Sequence, residues 1–335
     1  MNNKKMVGVV FLCTVLVSIA SAYIIEGIRL VADNSFLLML VSQLLLLIPS
    51  VVYIVASRKN LKRAIRLKKI SPFNIVLCIM FAILIMPVMN LINAISLLFS
   101  QNMIQGTVTD IVSNNSLFLS VFVVALIPCL FEETIFRGVF YNEYRKSNIK
   151  MGIFLSALLF GLMHQNFNQF TYAFAMGIVF ALLIEATDSI VSTMVVHFVI
   201  NANSVIMTYM LPKMTEIMQD VSGSVEEYEE IVNAPVTRET IMAGMGYYFV
   251  SAVVASVLAY IVYKTIAKNT NRWDHVKAIF SKKAGALIKE SDEPEELREL
   301  EATAQKQGSM FSLPLIAGII ICLMLMIATE IYVSS

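Results

Sequence analysis

Residues 116–141 read SLFLSVFVVALIPCLFEETIFRGVFY, a stretch in which only three side chains are charged. A run of about 20 apolar residues is long enough to cross the hydrocarbon core of a bilayer as a helix, so this stretch predicts a transmembrane helix. The three charges are Glu132, Glu133 and Arg137. An ionisable side chain inside a span costs roughly 2.5–3.5 kcal/mol on insertion scales and usually faces an interior cavity. The stretch therefore predicts both the class of fold and the position of a polar site.

The composition of the whole chain agrees with a membrane protein. Hydrophobic residues make up 58% of the sequence and charged residues 15%, with a mean hydropathy of +0.75. Soluble domains have about 45–50% apolar and about 25% charged residues. Only helices and closed barrels satisfy the backbone inside a bilayer, and the short alternating segments of a barrel are absent from the sequence. We therefore predict an all-α polytopic membrane helical bundle surrounded by the lipid bilayer. The net charge of +1 gives no indication of a nucleic-acid partner.

The apolar runs predict about nine transmembrane helices, with the site in the middle of the chain. The predicted spans are 6–27, 35–57, 72–99, 116–141, 152–168, 169–187, 189–210, 240–263 and 311–331. All four cysteines lie inside these spans without paired spacing, so we predict neither disulfides nor a cysteine metal site.

The basic residues predict the orientation of the chain. Residues 58–69 contain seven lysines and arginines, whereas residues 100–115 contain none. Cytoplasmic loops of membrane proteins carry an excess of such residues. With nine spans, the basic loops fall on the same side as Lys4 and Lys5. We therefore predict a multi-pass protein of the cell membrane with a cytoplasmic N-terminus.

The chain divides into four predicted parts. Residues 1–115 hold the N-terminal transmembrane helices and the basic loop, 116–210 the catalytic core, 211–239 an acidic extracytoplasmic loop, and 240–335 the C-terminal transmembrane helices with a charged cytoplasmic segment at 267–308. We interpret the polar segments as solvated connections. His275, in the last of them, is predicted to be an ordinary surface histidine.

Polar side chains within the predicted spans indicate a site. Two of the three histidines, His164 and His197, lie inside spans. Asn201 follows His197 by four residues, so the two side chains project from one face of a helix. Concentration of the few histidines in this region is not typical of helix packing alone.

The two adjacent glutamates are predicted to have different roles. Glu133 and Arg137 are four residues apart and can pair on one face of a helix, while Glu132 is rotated from Glu133 by about 100°. This leaves Glu132 for chemistry and makes Glu133 and Arg137 supporting residues. Pro128, four residues before Glu132, should bend the helix just before the site.

Two kinds of hydrolysis fit these residue types. In the first, a carboxylate and a histidine take a proton from water, and a histidine and an asparagine stabilise the oxyanion that follows hydroxide attack on a carbonyl. In the second, Glu132, His164 and His197 bind a Zn²⁺ ion that keeps an open position for water. The residues alone leave both open. The sequence contains neither the His-Glu-x-x-His zinc motif nor the Gly-x-Ser-x-Gly nucleophile motif.

Three stretches resemble a known family. They are Glu132-Glu-Thr-Ile-Phe-Arg137, Phe160-Gly-Leu-Met-His164 and His197-Phe-Val-Ile-Asn201. They resemble the Glu-Glu-x-x-x-Arg, Phe-x-x-x-His and His-x-x-x-Asn motifs of the CAAX prenyl protease 2 type family, whose bacterial branch is the CAAX-protease and bacteriocin-processing family. The motifs occur in the same order with similar separations, and the resemblance covers roughly 116–205.

The resemblance implies an endopeptidase that cleaves a membrane-associated protein or peptide. It implies that Glu132 and His164 activate water and that His197 and Asn201 stabilise the oxyanion. Both a zinc mechanism and a metal-free glutamate mechanism have been assigned to such proteins, so either is expected. Two other functions remain open: a non-catalytic immunity, resistance or scaffold protein that keeps the fold, and a proton-coupled transporter, although transporters usually show repeated halves.

Overall fold

The computed structural model describes residues 3–58, 60–222, 237–281 and 310–334. All regular elements within these ranges are helices, which confirms the predicted all-α bundle. They are α1 (Asn3–Arg29), α2 (Ser35–Ala56), α3 (Leu61–Ala64), α4 (Pro72–Leu97), α5 (Ile104–Asn114), α6 (Leu117–Tyr144), α7 (Ile149–Leu162), α8 (Phe167–Thr187), α9 (Ile190–Ser222), α10 (Arg238–Asn269), α11 (Trp273–Phe280) and α12 (Leu313–Ser334).

Eight of the described helices are long and apolar enough to cross a membrane, namely α1, α2, α4, α6, α8, α9, α10 and α12. The remaining predicted span, 152–168, which is the fifth along the chain, corresponds to the apolar helix α7. This helix has 14 residues. At about 1.5 Å per residue it is about 21 Å long, whereas the hydrocarbon core is about 30 Å thick.

The predicted end of the fifth span was wrong for a local reason. The chain leaves α7 at Leu162, and Gln165 adopts a left-handed backbone conformation with φ of 55°. The Asn166 side chain then accepts a hydrogen bond from the backbone N–H of Gln169 and caps the start of α8. His164 therefore lies in the turn between two helices, not inside a span.

Two of the apolar clusters in the interior border the middle of α6. The first joins α1, α2, α6, α7 and α12 and contains Phe11, Phe140 and Phe160. The second joins α4, α8, α9 and α10 and contains Phe81 and Phe180. Interiors of this kind are closely packed, so the polar side chains of α6 lie between two rigid walls.

Close contact between α7 and α8 depends on a glycine. A Cβ atom added at Gly177 would lie 2.6 Å from the Cα atom of Ala157. Small residues let the backbones of membrane helices approach one another. The contact fixes α7, and with it the turn that carries His164.

A buried polar network lies at the end of the bundle that includes the C-terminus of α8. Glu185 is fully buried, and its carboxylate accepts hydrogen bonds from Arg145 Nε at 2.7 Å, Arg145 Nη2 at 2.9 Å and the Tyr141 hydroxyl at 2.5 Å. His275 Nε2 contacts the same carboxylate, and Arg272 Nε donates to the Glu185 backbone carbonyl at 2.7 Å. The network ties α6, α8 and α11 together.

The prediction of His275 as a surface histidine was wrong. Only 19% of its side chain is exposed, and α11 packs Val276 and Ile279 into the interior. The start of the segment 267–308 is therefore part of the bundle; residues 282–309 lie outside the described ranges. The acidic segment 211–239 also begins as helix, because α9 continues to Ser222. Residues 223–236 of this segment lie outside the described ranges.

The basic loop joins the same end of the bundle. Arg66 Nη1 lies 2.8 Å from Asp188 Oδ1, and Arg66 Nε donates to Asn142 Oδ1 at 2.8 Å. Lys68 also contacts Asp188. Burial alone would raise the pKa of the Asp188 carboxyl, but the Arg66 and Lys68 cations lower it below its usual value. The loop is therefore held to the helices by ion pairs.

We expect Glu185→Gln to destabilise the protein strongly, because it leaves the buried Arg145 cation without its counter-charge. Breaking a buried pair from one side costs about 3–5 kcal/mol. The measurement is thermal unfolding of the purified protein in detergent. Asp274→Asn on α11 is the control, since the Asp274–Lys277 pair is exposed. Equal melting temperatures for the two variants would contradict a structural role for the network.

Candidate active site

Helix α6 departs from regular α geometry on both sides of the two glutamates. Residues Phe122–Leu126 and Thr134–Tyr141 form π-helical turns, and Ile127–Glu133 between them is α-helical. Such turns are rare and occur frequently at functional sites. The first of these turns ends at Leu126, two residues before Pro128, where the sequence predicts a bend.

The first π-helical turn is linked to Asn201. Val124 lies in this turn, and Pro128, four residues later, has no N–H with which to make an α-helical bond to the Val124 carbonyl. Asn201 Nδ2 on α9 donates a long hydrogen bond to this carbonyl, at 3.4 Å. Asn201 thus links α9 to the irregular backbone of α6.

Glu133 and Arg137 form a fully buried ion pair. Arg137 Nη1 lies 3.1 Å from Glu133 Oε1, and neither side chain is exposed to solvent. The guanidinium carbon lies 4.3 Å from the centre of the Phe160 ring and 4.8 Å from that of Phe180. The cation is thus enclosed by a carboxylate and two ring faces, which both attract it. Since the two rings belong to the two apolar clusters, the pair lies where the clusters meet.

His197 lies between the two glutamates. Its Nδ1 atom is 3.0 Å from Glu133 Oε1, and its Nε2 atom is 3.9 Å from Glu132 Oε2. The first distance is a hydrogen bond and the second is too long for one. Because a carboxylate only accepts hydrogen bonds, Nδ1 carries the proton in this contact. Glu133 therefore orients the imidazole so that Nε2 points towards Glu132.

Glu132 and His164 line one cavity. The cavity has a volume of about 100 Å³, which is enough for several water molecules. Its walls are mostly apolar and include a few polar side chains: Thr14, Gln43, Leu46, Glu132, Ile135, Phe136, Phe160, Met163 and His164. The Glu132 side chain is 14% exposed. Of the predicted site residues, the structure brings Glu132 and His164 to this cavity, with His197 behind Glu132 and Asn201 one helical turn further along α9.

His164 is held by its ring. It packs edge-to-face against Phe160, with ring centres 5.3 Å apart. Phe160 in turn covers the Arg137 guanidinium. The aromatic residue of the second motif thus connects the cavity histidine with the buried ion pair.

Residues 114–203 match the family described as type II CAAX prenyl endopeptidase Rce1-like. The matched range includes Glu132, His164, His197 and Asn201. This part of the chain is similar to the Rce1-like family. The resemblance predicted over roughly 116–205 is thereby confirmed. None of the curated proteins and none of the solved structures that were compared matches the chain.

Helices outside the Rce1-like region complete the cavity. Gln43 on α2 donates from Nε2 to Glu132 Oε1 at 3.2 Å, and Thr14 on α1 lines the same space. Gln165, next to His164, donates to the Ser18 hydroxyl on α1 at 2.9 Å. The sequence analysis missed Gln43, although a glutamine inside a predicted span is itself an unusual polar residue.

The sequence left open that Glu132, His164 and His197 bind a Zn²⁺ ion, and the structure gives the arrangement of these three side chains. Among the described residues, no group of three His, Cys, Asp or Glu side chains is arranged to hold a metal ion. The Nδ1–Glu133 bond leaves His197 Nε2 as the ring nitrogen that could bind a metal, and Nε2 stands 3.9 Å from Glu132 Oε2. As arranged here, Glu132, His164 and His197 do not fit a tetrahedral zinc site with its short bonds. No step proposed below therefore runs through a metal.

We expect Glu133→Gln to lower the folded yield and melting temperature, because Arg137 would then remain as an uncompensated buried cation. The cost of breaking such a pair is about 3–5 kcal/mol. Thermal unfolding in detergent measures the effect. Glu26→Gln is the matched control, as the Glu26–Arg29 pair is exposed on α1. A Glu133→Gln protein as stable as the control would contradict the structural role of this pair.

Proposed function

We propose that the protein is an intramembrane endopeptidase that hydrolyses a peptide bond of a membrane-associated protein or peptide. The observation that carries the proposal is the Glu132 carboxylate at the wall of a cavity shared with His164, within a region that matches the Rce1-like family. The family supports a protease in the membrane, and the spans support a multi-pass protein. We also propose that the protein is located in the cell membrane, with its N-terminus in the cytoplasm.

Glu132 acts as the general base in this proposal. It takes a proton from water, and the hydroxide attacks the carbonyl carbon of the scissile peptide bond. The tetrahedral intermediate then collapses as the C–N bond breaks, and Glu132 returns the proton to the departing amine. His164, which lines the same cavity, shares the binding and orientation of the water. Proton transfer of this kind contributes about 10²–10⁴-fold to a reaction rate.

His197 and Asn201 stabilise the oxyanion. When the His197 ring is protonated, Nδ1 stays bonded to Glu133 and Nε2 becomes a donor on the side of Glu132. Asn201 uses one amide N–H for the Val124 carbonyl and has a second to offer. Donors fixed in advance stabilise developing charge most effectively. Glu133 and Arg137 support the reaction by holding His197 in place.

The walls of the cavity indicate how the substrate is held. Leu46, Ile135 and Phe136 provide apolar surface next to Glu132, which suits an apolar side chain beside the scissile bond. A peptide that enters from the bilayer would present such side chains. Exclusion of bulk water also strengthens the electrostatic contacts in the site.

Cleavage of a quenched fluorescent peptide carrying apolar side chains tests the proposal. We expect Glu132→Gln and His164→Ala to keep the melting temperature of the wild type and to lose at least about 100-fold in rate, because proton transfer is removed. Glu26→Gln on the exposed face of α1 is the control and should cleave at the wild-type rate. Full activity in both site variants would contradict the enzyme proposal in favour of a non-catalytic membrane protein.

A chelator titrated into the wild type separates the two mechanisms. Unchanged cleavage in the presence of the chelator would support activation of the water by Glu132 without a metal ion. Loss of cleavage, with recovery on addition of Zn²⁺, would support the metal mechanism, in which His197 could bind through Nε2 while Nδ1 stays bonded to Glu133.

A further inference from the structure

We infer that Gln43 is a positioning residue for the reaction: its side-chain amide holds the Glu132 carboxylate in the orientation in which it meets the water. The inference rests on the proposed function, and it assigns part of the site to a helix outside the Rce1-like region. It follows from one contact, the burial of that contact and the other side chains around it.

The contact joins distant parts of the chain. Gln43 Nε2 donates to Glu132 Oε1 at 3.2 Å across 89 residues of sequence. Since a carboxylate only accepts hydrogen bonds, the amide nitrogen must face it. Gln43 is 8% exposed, so the bond is shielded from bulk solvent and only the cavity adjoins it. A hydrogen bond to a charged group in such surroundings is stronger than a neutral one.

The position of Gln43 on α2 is fixed by its neighbours. Leu46, three residues later on the same helix face, lines the same cavity. Further along α2, Tyr53 and Ile54 are buried in the first apolar cluster together with residues of α6. The helix that carries Gln43 is therefore packed against the helix that carries Glu132, and the donor cannot drift away.

The two oxygens of Glu132 are distinguished by this arrangement. Oε1 accepts from Gln43, whereas Oε2 faces His197 Nε2 at 3.9 Å. The bond to Oε1 fixes the plane of the Glu132 carboxylate. Oε2, on the side of His197, remains available to take the proton from water. Displacement of a reacting group by about 1 Å can cost 10²-fold in rate, so loss of this bond should act on turnover.

The second polar atom of Gln43 also belongs to the site. Gln43 Oε1 is buried and has no hydrogen-bond partner among the described residues. A buried acceptor without a partner is costly, and here it belongs to a side chain that lines the cavity. A water or substrate N–H bound against this wall of the cavity would supply the missing donor. A glutamine therefore suits this position better than a residue that only donates.

Gln43→Met tests the inference, because it keeps the length and burial of the side chain and removes the amide. We expect kcat per folded molecule to fall about 10- to 100-fold, as for other residues that orient a catalytic group, with KM changed less than about threefold. Gln105→Met, at an exposed position on α5, is the matched control and should leave both constants unchanged. A merely structural role would lower the folded yield and leave kcat per folded molecule at the wild-type value, which would overturn the inference.

A stability cycle tests the contact without using activity. Gln43→Met should lower the melting temperature in the wild type but not in a Glu132→Leu background, where the carboxylate partner is already gone. An equal shift in both backgrounds would overturn the inference even if the peptidase is active. The proposed function would be contradicted by a wild type that cleaves no peptide, or by a Glu132→Gln variant that cleaves at the wild-type rate. An active wild type whose kcat and melting temperature are unchanged by Gln43→Met would contradict only the inference about Gln43.

Discussion

The Arg137 guanidinium is the constraint on which the rest of the site depends. A charge this deeply buried must be paired or otherwise compensated, and here a carboxylate and two aromatic faces do so. Glu133 is the pair carboxylate, and the rings come from Phe160 and Phe180, one in each apolar cluster. Compensation of a single cation thus brings α6, α7 and α8 together at one point.

The same ion pair separates the roles of the two adjacent glutamates. Glu133 is committed to Arg137 and to His197 Nδ1, and its carboxylate is fully buried. Glu132, on the next residue, reaches the cavity instead. π-helical turns flank the two glutamates on either side, and Asn201 donates to the Val124 carbonyl in the first of these turns. The irregular backbone is thereby tied to the helix that also provides His197.

Much of the architecture could be predicted because membrane helices are encoded locally. The long apolar runs mark the spans, and the spacing of Glu133 and Arg137 places both on one face of a single helix. The end of α7 escaped prediction, since apolar residues continue into a turn that depends on Gln165 and Asn166. His275 was misjudged for a different reason: its partner, Glu185, is 90 residues away in sequence, and spacing carries no signal for such a contact.

The contact between Gln43 and Glu132 was equally invisible in the sequence. It joins the Rce1-like region to a helix outside it, so neither the motifs nor local periodicity points to it. Sequence motifs identify residues that share chemistry, whereas the helices that complete the walls of the cavity are found only when the chain is folded.

The central claim is that Glu132 performs chemistry while Glu133 maintains the structure. Peptide cleavage and thermal unfolding of Glu132→Gln and Glu133→Gln, measured side by side and normalised to folded protein, test it most directly. The account predicts that Glu132→Gln is folded and inactive, and that Glu133→Gln is strongly destabilised. A stable, inactive Glu133→Gln beside an active Glu132→Gln would contradict it.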